Sequence, residues 1–203
     1  MYQVVLASES PRRKEILEIM GINYRAIATN VIEVVTETEP SAMVQALAKL
    51  KTNAVILKPE VPTIEYQEVI VIGADTMVFY KEHALGKPKN KEDAARMLRM
   101  LSDEVHEVYT GVNIIIRNMD GREENISFAV CTEVVVMPLT EAQIQAYIAT
   151  GEPMDKAGAY AIQGKFGIFI KGIRGDYYNV VGFPIAQIYD AILKKGIDIK
   201  KLN

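Results

Sequence analysis

The stretch Val69-Ile70-Val71-Ile72-Gly73-Ala74-Asp75-Thr76 restricts the fold more than any other. Small and branched apolar residues follow one another without the polar alternation of a half-wet strand, so the run reads as a strand buried on both faces. Val4 to Ala7 is a second short apolar run. It is followed from Lys14 to Met20 by apolar residues at helical spacing, closed by Gly21. Buried strands interleaved with helices make an α/β chain. Asp75 is expected to end this strand, with Met77 to Tyr80 as a further strand continuing from it. Ligands of open α/β sheets sit beyond the carboxyl ends of strands, and a charged group there needs solvent, a partner or a metal. An Asx turn is the plainer alternative; the position favours function.

Between the first strand and its helix lies Ser8-Glu9-Ser10-Pro11-Arg12-Arg13. Ser10 suits a helix N-cap and Pro11 the first helical position. Arg12 and Arg13 then occupy the first turn, where the macrodipole favours anions. A bound polyphosphate would resolve the conflict. Backbone N–H groups, the hydroxyls of Ser8 and Ser10 and two guanidinium forks would face it together. A solvated basic turn is the alternative, at a cost of only a few tenths of a kcal/mol.

Further along, Asn23 to Thr29 reads as a strand leading to Glu33. A long helix starts at Pro40-Ser41 with Ser41 as cap and stops at Lys58-Pro59; its Lys49 and Lys51 read as solvated lysines. Glu60 to Glu68 reads as a connector. Lys87 sits in Leu85-Gly86-Lys87-Pro88, a loop of restricted backbone that can present a point charge to phosphate. Asn90 caps the next helix. Glu107 to Arg117 and Asn125 to Met137 are β-rich and joined by the hairpin signal Asp120-Gly121. Thr140-Glu141-Ala142-Gln143 is a capping box. The polar, glycine-punctuated loop from Glu152 to Gly164 is long for a compact domain, as functional loops often are. Phe166 to Ile173 is expected as a strand with Tyr177 to Val181 pairing back, and a last helix runs from Pro184 to Gly196.

Composition narrows the classes of function. A net charge of -3 across 203 residues argues against a nucleic-acid coat or a basic membrane face. No apolar stretch reaches the length of a membrane span, and the first strand leaves no room for a signal peptide. The single Cys131 cannot form an internal disulfide, which fits a reducing, cytoplasmic setting; in its β-like run it is expected as a small core residue. His83, His106 and Cys131 do not make a zinc set. There is no G-x-x-x-x-G-K-[ST] loop, no G-x-G-x-x-G after a strand and no motif context for a Ser–His–Asp hydrolase. What remains is a basic helix start, with Lys51 and Lys87 as further cations for a triphosphate. Beside it stand Glu33 and Asp75, hard oxygen ligands suited to Mg²⁺ or Mn²⁺.

These motifs, in this order, resemble the Maf family of nucleoside triphosphate pyrophosphatases. The resemblance runs from Leu6 to Arg13 through Gly73-Ala74-Asp75-Thr76, Leu85-Gly86-Lys87-Pro88, Tyr109-Thr110-Gly111-Val112 and Gly151-Glu152-Pro153 to Gln163-Gly164 and Val181-Gly182-Phe183-Pro184. It implies one domain over residues 1–203, with an elongated, two-lobed, mixed-sheet α/β fold and a central nucleotide-binding cleft. It implies hydrolysis of dTTP and UTP to the monophosphate and pyrophosphate with a divalent metal. Asp75 matches the proton acceptor, and Arg12, Thr76 and Gln163 match positions linked to substrate choice. A sister branch acting on 7-methyl-GTP carries Trp at Arg12 and Glu near Gln163. The amide of Gln163 offers the donor and acceptor that a pyrimidine's carbonyl and N–H edge requires. Lys165-Phe166 departs from the family, which more often has small residues at the second position after Gln163-Gly164. In this reading Ser8, Arg12, Arg13, Lys51, Thr76, Lys87 and Gln163 bind substrate; Glu33 holds metal; Asp75 holds metal or accepts the proton. The family is associated with inhibition of septum formation and with removal of modified nucleotides. The implied partner is a nucleoside triphosphate rather than nucleic acid or membrane, and a homodimer is compatible with the resemblance. A non-catalytic nucleotide sensor acting on a cell-division partner is the competing class.

Overall fold

The computed structural model describes residues 2–58, 61 and 68–202. Pro59 and most of the expected connector lie outside them. The chain divides into two compact units: Met1–Asp75, Thr110–Ala129 and Gly182–Asn203 form the first, Thr76–Tyr109 and Val130–Val181 the second. Among the described residues seven strands form a mixed sheet, in the order β2 (Arg25–Ala26), β1 (Gln3–Leu6), β3 (Val69–Tyr80), β5 (Val105–Arg117), β6 (Glu123–Val136) and β7 (Ile170–Arg174). β4 (His83–Leu85) pairs with β3 off this path. β1 runs parallel to β2 and β3, whereas β4 and β7 are antiparallel to their neighbours. The expected α/β chain with a mixed sheet is therefore present.

In the first unit, Val5, Ala7, Val69 and Val71 bury against Val55 and Ile56 of helix α2 (Pro40–Ile56) and Ile115 of β5. Two glycines bring α2 close to the sheet. A Cβ on Gly111 would lie 2.1 Å from the carbonyl oxygen of Val44, and one on Gly73 would lie 2.7 Å from Thr52 Cγ2. Only a residue without a side chain fits at either point. Asn113 of β5 donates to Thr52 Oγ1 at 2.7 Å and fixes the helix along the strand. Glu39 caps α2, accepting from the N–H groups of Ser41 and Ala42; Ser41 lies inside the helix instead of capping it. Helix α1 (Pro11–Ile19) starts at Pro11 as expected, but the Ser10 side chain makes no capping bond.

The second unit packs helices α3 (Lys91–Leu101) and α4 (Glu141–Ala149) on β-strand residues such as Val108 and Val134. Asn90 caps α3, and the capping box at Thr140 forms with both of its arms. Inside this core His106 Nε2 lies 2.7 Å from the Tyr160 hydroxyl. Burial depresses the His106 pKa to about 4.

Four local expectations give way. Asp75 does not end its strand: β3 continues to Tyr80 and turns into β4 over Lys81 and Glu82. Both turn residues take positive φ, a two-residue hairpin without the usual Asn or Gly. The Phe166 run begins as a 3₁₀ turn over Lys165–Phe169, because Phe166 turns into an aromatic cluster with Tyr147, Tyr160 and Phe169; strand pairing begins only at Ile170. Tyr177–Val181 is a short helix, α5, in which the Asp176 carboxylate accepts from Tyr178 N. That local cap outweighs the β preference of its tyrosines and valines. Cys131 is exposed, since Thr132, Val134 and Val136 take the inward positions of β6 and period two turns Cys131 out. The last helix, α6 (Ile185–Leu193), follows Pro184 as expected.

Candidate active site

The turn between β1 and α1 is built on Ser8. Its hydroxyl accepts from Ser10 N at 3.2 Å and from an Arg13 guanidinium N–H at 3.1 Å. The Arg13 Nε–H donates at 2.8 Å to the carbonyl of Gly182, far along the chain. Ser8 and Arg13 are both buried, so the arginine read as one of two exposed forks is a fixed part of the interior. Burial lowers the Arg13 pKa from the ordinary arginine value; the Asp75 carboxylate opposes this, Arg12 adds to the lowering and Glu33 opposes it. Arg12, one position earlier, is half-buried and makes no ion pair or hydrogen bond among the described residues. It is the arginine of the pair available to an incoming anion.

Asp75 is 8% exposed although it lies in mid-strand. The parallel pairing of β1 with β3 runs out at Leu6 and Ile72, so Asp75 stands just past the end of its neighbour. The location expected from sequence is reached by a different route: the adjacent strand stops and β3 continues. Thr76 follows on the opposite face of the strand and is half-buried.

Lys51 of α2 ion-pairs with Asp75, and its ammonium lies 3.0 Å from Glu33 Oε1. At 9% exposure it is not the solvated helix lysine of the sequence reading. The close approach of α2 at Gly73 and Gly111 puts Lys51 against the sheet, and Asp75 makes its burial tolerable. Glu33 reaches it from a segment without regular structure and is half-exposed.

Two carboxylates, Glu33 and Asp75, converge on the one ammonium of Lys51. Among the described residues no group of three or more His, Cys, Asp or Glu side chains could hold a metal. The pair suits a hard divalent ion that takes one or two carboxylates and completes its shell with water and substrate phosphate. Glu33 and Asp75 are the residues that would hold such an ion.

Lys87 and Gln163 belong to the second unit. Lys87 is exposed on the loop between β4 and α3. Gln163 is exposed in the turn before the Lys165–Phe169 helix, and its amide makes no hydrogen bond among the described residues. Direct bonds thus join Ser8 to Arg13, and Glu33 and Asp75 to Lys51; the charges of Asp75 and Glu33 reach Arg13, and Arg12 stands beside it. Two contributors were missed from sequence. Gly73 and Gly111 seat α2; small residues facing Gly73 on the helix, Ala48 and Thr52, were the available signal, whereas Gly111 meets the main chain of Val44 and Gln45.

The Maf-like protein family matches residues 3–195. A dTTP/UTP pyrophosphatase of Lachnoclostridium phytofermentans is 49% identical over 201 residues, covering 99% of each chain. A dTTP/UTP pyrophosphatase of Agathobacter rectalis is 46% identical, covering 98% of this chain and all of its own. Among solved structures, the Ham1 protein of Staphylococcus aureus aligns with 96% of the chain at 15% identity and a TM-score of 0.45. With the family matched over nearly its whole length and relatives at this identity, the chain belongs to the Maf-like protein family.

Proposed function

We infer that this protein is a nucleoside triphosphate pyrophosphatase with dTTP and UTP as its preferred substrates. The observation that carries the reading is the buried Asp75 carboxylate, paired to Lys51 and backed by Glu33. The full-length relatives named dTTP/UTP pyrophosphatase support the substrate class.

In the reaction water attacks the α-phosphorus, the bond from that phosphorus to the α–β bridging oxygen breaks, and pyrophosphate leaves. Asp75 takes the water's proton or, with Glu33, holds a divalent cation. When bound, that cation would neutralise phosphate charge and make its water more acidic. Lys51 is already within reach of both carboxylates; once a triphosphate arrives, its ammonium can turn to phosphate oxygen. Arg12 supplies a charge-assisted contact to the phosphates, and Arg13 holds the Ser8 turn that presents it. Lys87 is assigned to phosphate and Thr76 and Gln163 to substrate choice, as proposals that substitution tests.

The deciding experiment incubates the purified protein with dTTP, UTP, CTP and GTP and Mg²⁺ or Mn²⁺, and measures pyrophosphate. Release of pyrophosphate with dTTP and UTP ahead is expected. Binding without release in every metal would overturn the enzyme reading; equal kcat/KM for the four bases would overturn the substrate preference. The metal requirement is read by adding a chelator, which is expected to stop turnover. A cytoplasmic location, a homodimer and a role in septum control are separate proposals. Fractionation, sedimentation and septum counts in a deletion strain respectively test them.

A further inference from the structure

We propose that Glu152 is the positioning residue for the turn that carries Gln163, and through it sets the selectivity for the base. The proposal rests on the assignment of Gln163 as the base-reading residue.

Gln163 has an exposed amide with no hydrogen-bond partner among the described residues. A side chain in that state rotates, and a rotating amide presents donor and acceptor in either order. Selectivity between uracil and cytosine, which exchange donor and acceptor at two ring positions, then depends on how firmly the backbone beneath the amide is held. The two residues after Gln163 are held by one carboxylate. Glu152 Oε2 accepts the Lys165 N–H at 3.1 Å, and Oε1 accepts the Tyr147 hydroxyl at 2.9 Å. Between these contacts the carboxylate lies against Gly164 so closely that a Cβ there would be 2.1 Å from Oε1.

Gly164 has φ -114, a conformation open to any residue. A Cβ here would leave the backbone angles untouched and push the Glu152 carboxylate off its two contacts. Tyr147 is 4% exposed and its ring packs 5.1 Å from that of Phe166, which is itself buried. The clip is therefore anchored at its base by α4 and at its far end by the next aromatic residue of the turn. Of the departure at Lys165-Phe166, the phenylalanine belongs to the same device as its anchor; the gripped N–H is main chain, which any residue but proline would offer.

The test compares kcat/KM for UTP and CTP in wild type, Glu152→Ala, Glu152→Gln, Tyr147→Phe and Gly164→Ala, together with hydrogen exchange of the Lys165 amide. The UTP to CTP ratio is expected to fall by about tenfold in Glu152→Ala and Gly164→Ala, the scale at which a misplaced polar contact loses discrimination. Glu152→Gln, which keeps one acceptor oxygen, should retain part of the ratio, and Tyr147→Phe should lower it less than Glu152→Ala. KM should rise for UTP while kcat changes little, because phosphate chemistry is untouched. The Lys165 amide should exchange faster in Glu152→Ala than in wild type. A folded Glu152→Ala that keeps the wild-type ratio overturns the proposal, as does an equal fall for both nucleotides. A wild type without any preference overturns it from the other side, by removing the base-reading assignment itself. Wild-type discrimination that survives loss of the clip removes the Glu152 role alone.

Discussion

Replacing Arg13 with alanine strips the donor from Ser8 Oγ and from the Gly182 carbonyl. From its place in the first turn of α1 alone, loss of this cation should be neutral or slightly stabilising. Its burial reverses the sign. Arg13→Ala is expected to lower stability by roughly 1–3 kcal/mol, the cost of leaving buried polar groups unmet, whereas Arg12→Ala should leave stability unchanged or slightly higher. Urea unfolding of the two variants checks the contrast; equal effects would mean the hydrogen bonds of Arg13 contribute nothing. Asp75→Asn is expected to abolish pyrophosphate release. It also leaves Lys51 with only the half-exposed Glu33 as a charged partner among the described residues. A moderate loss of stability, about 1–3 kcal/mol, should therefore accompany the loss of activity. Circular dichroism confirms the fold, and near wild-type turnover in a folded variant would remove Asp75 from both of its roles.

Elements, not single residues, decide where Lys51 goes. Gly111→Ala would force the backbone of α2 away from β5, since the added carbon meets Val44 main-chain atoms that cannot rotate aside. A loss of roughly 1–3 kcal/mol or more is expected from such overpacking, with turnover falling as Lys51 loses its register over Asp75. Thermal melts and pyrophosphate release measure both, and a variant with wild-type values in each would show that the helix has room to move. Placement of this kind explains what was legible in the sequence. The capping box at Thr140, the Asn90 cap and the Asp120-Gly121 hairpin were readable because their partners lie within a few residues, although the caps expected at Ser10 and Ser41 do not form. The arginines at the start of α1 stood out because they break a local rule. The burial of Lys51 was not readable: it depends on glycines in two strands distant in sequence. The turn at Phe166 was misread for a related reason, since aromatic neighbours from α4 and from Tyr160 overrode a β-like composition.

At the scale of the whole molecule, His106 links stability to pH. Its folded pKa, about 4, lies below the ordinary 6.5 because burial opposes the charged ring. Between those values the unfolded chain binds a proton that the folded chain refuses. The stability due to this group is complete above about pH 6.5 and declines as pH falls toward 4, by up to about 3 kcal/mol. Urea midpoints at neutral and acid pH should show a steeper acid loss in wild type than in His106→Gln; identical slopes would assign the acid loss to the carboxylates alone.

The division of the chain carries a different consequence. The boundaries fall at Asp75/Thr76, Tyr109/Thr110, Ala129/Val130 and Val181/Gly182, so neither unit is a continuous segment. Three of these boundaries cut through β3, β5 and β6. No restriction fragment of the gene encodes either half alone, and no premature stop codon before Gly182 leaves the first unit complete. Inheritance must treat the two as one. Neither can be lent to another protein as one uninterrupted stretch of coding sequence.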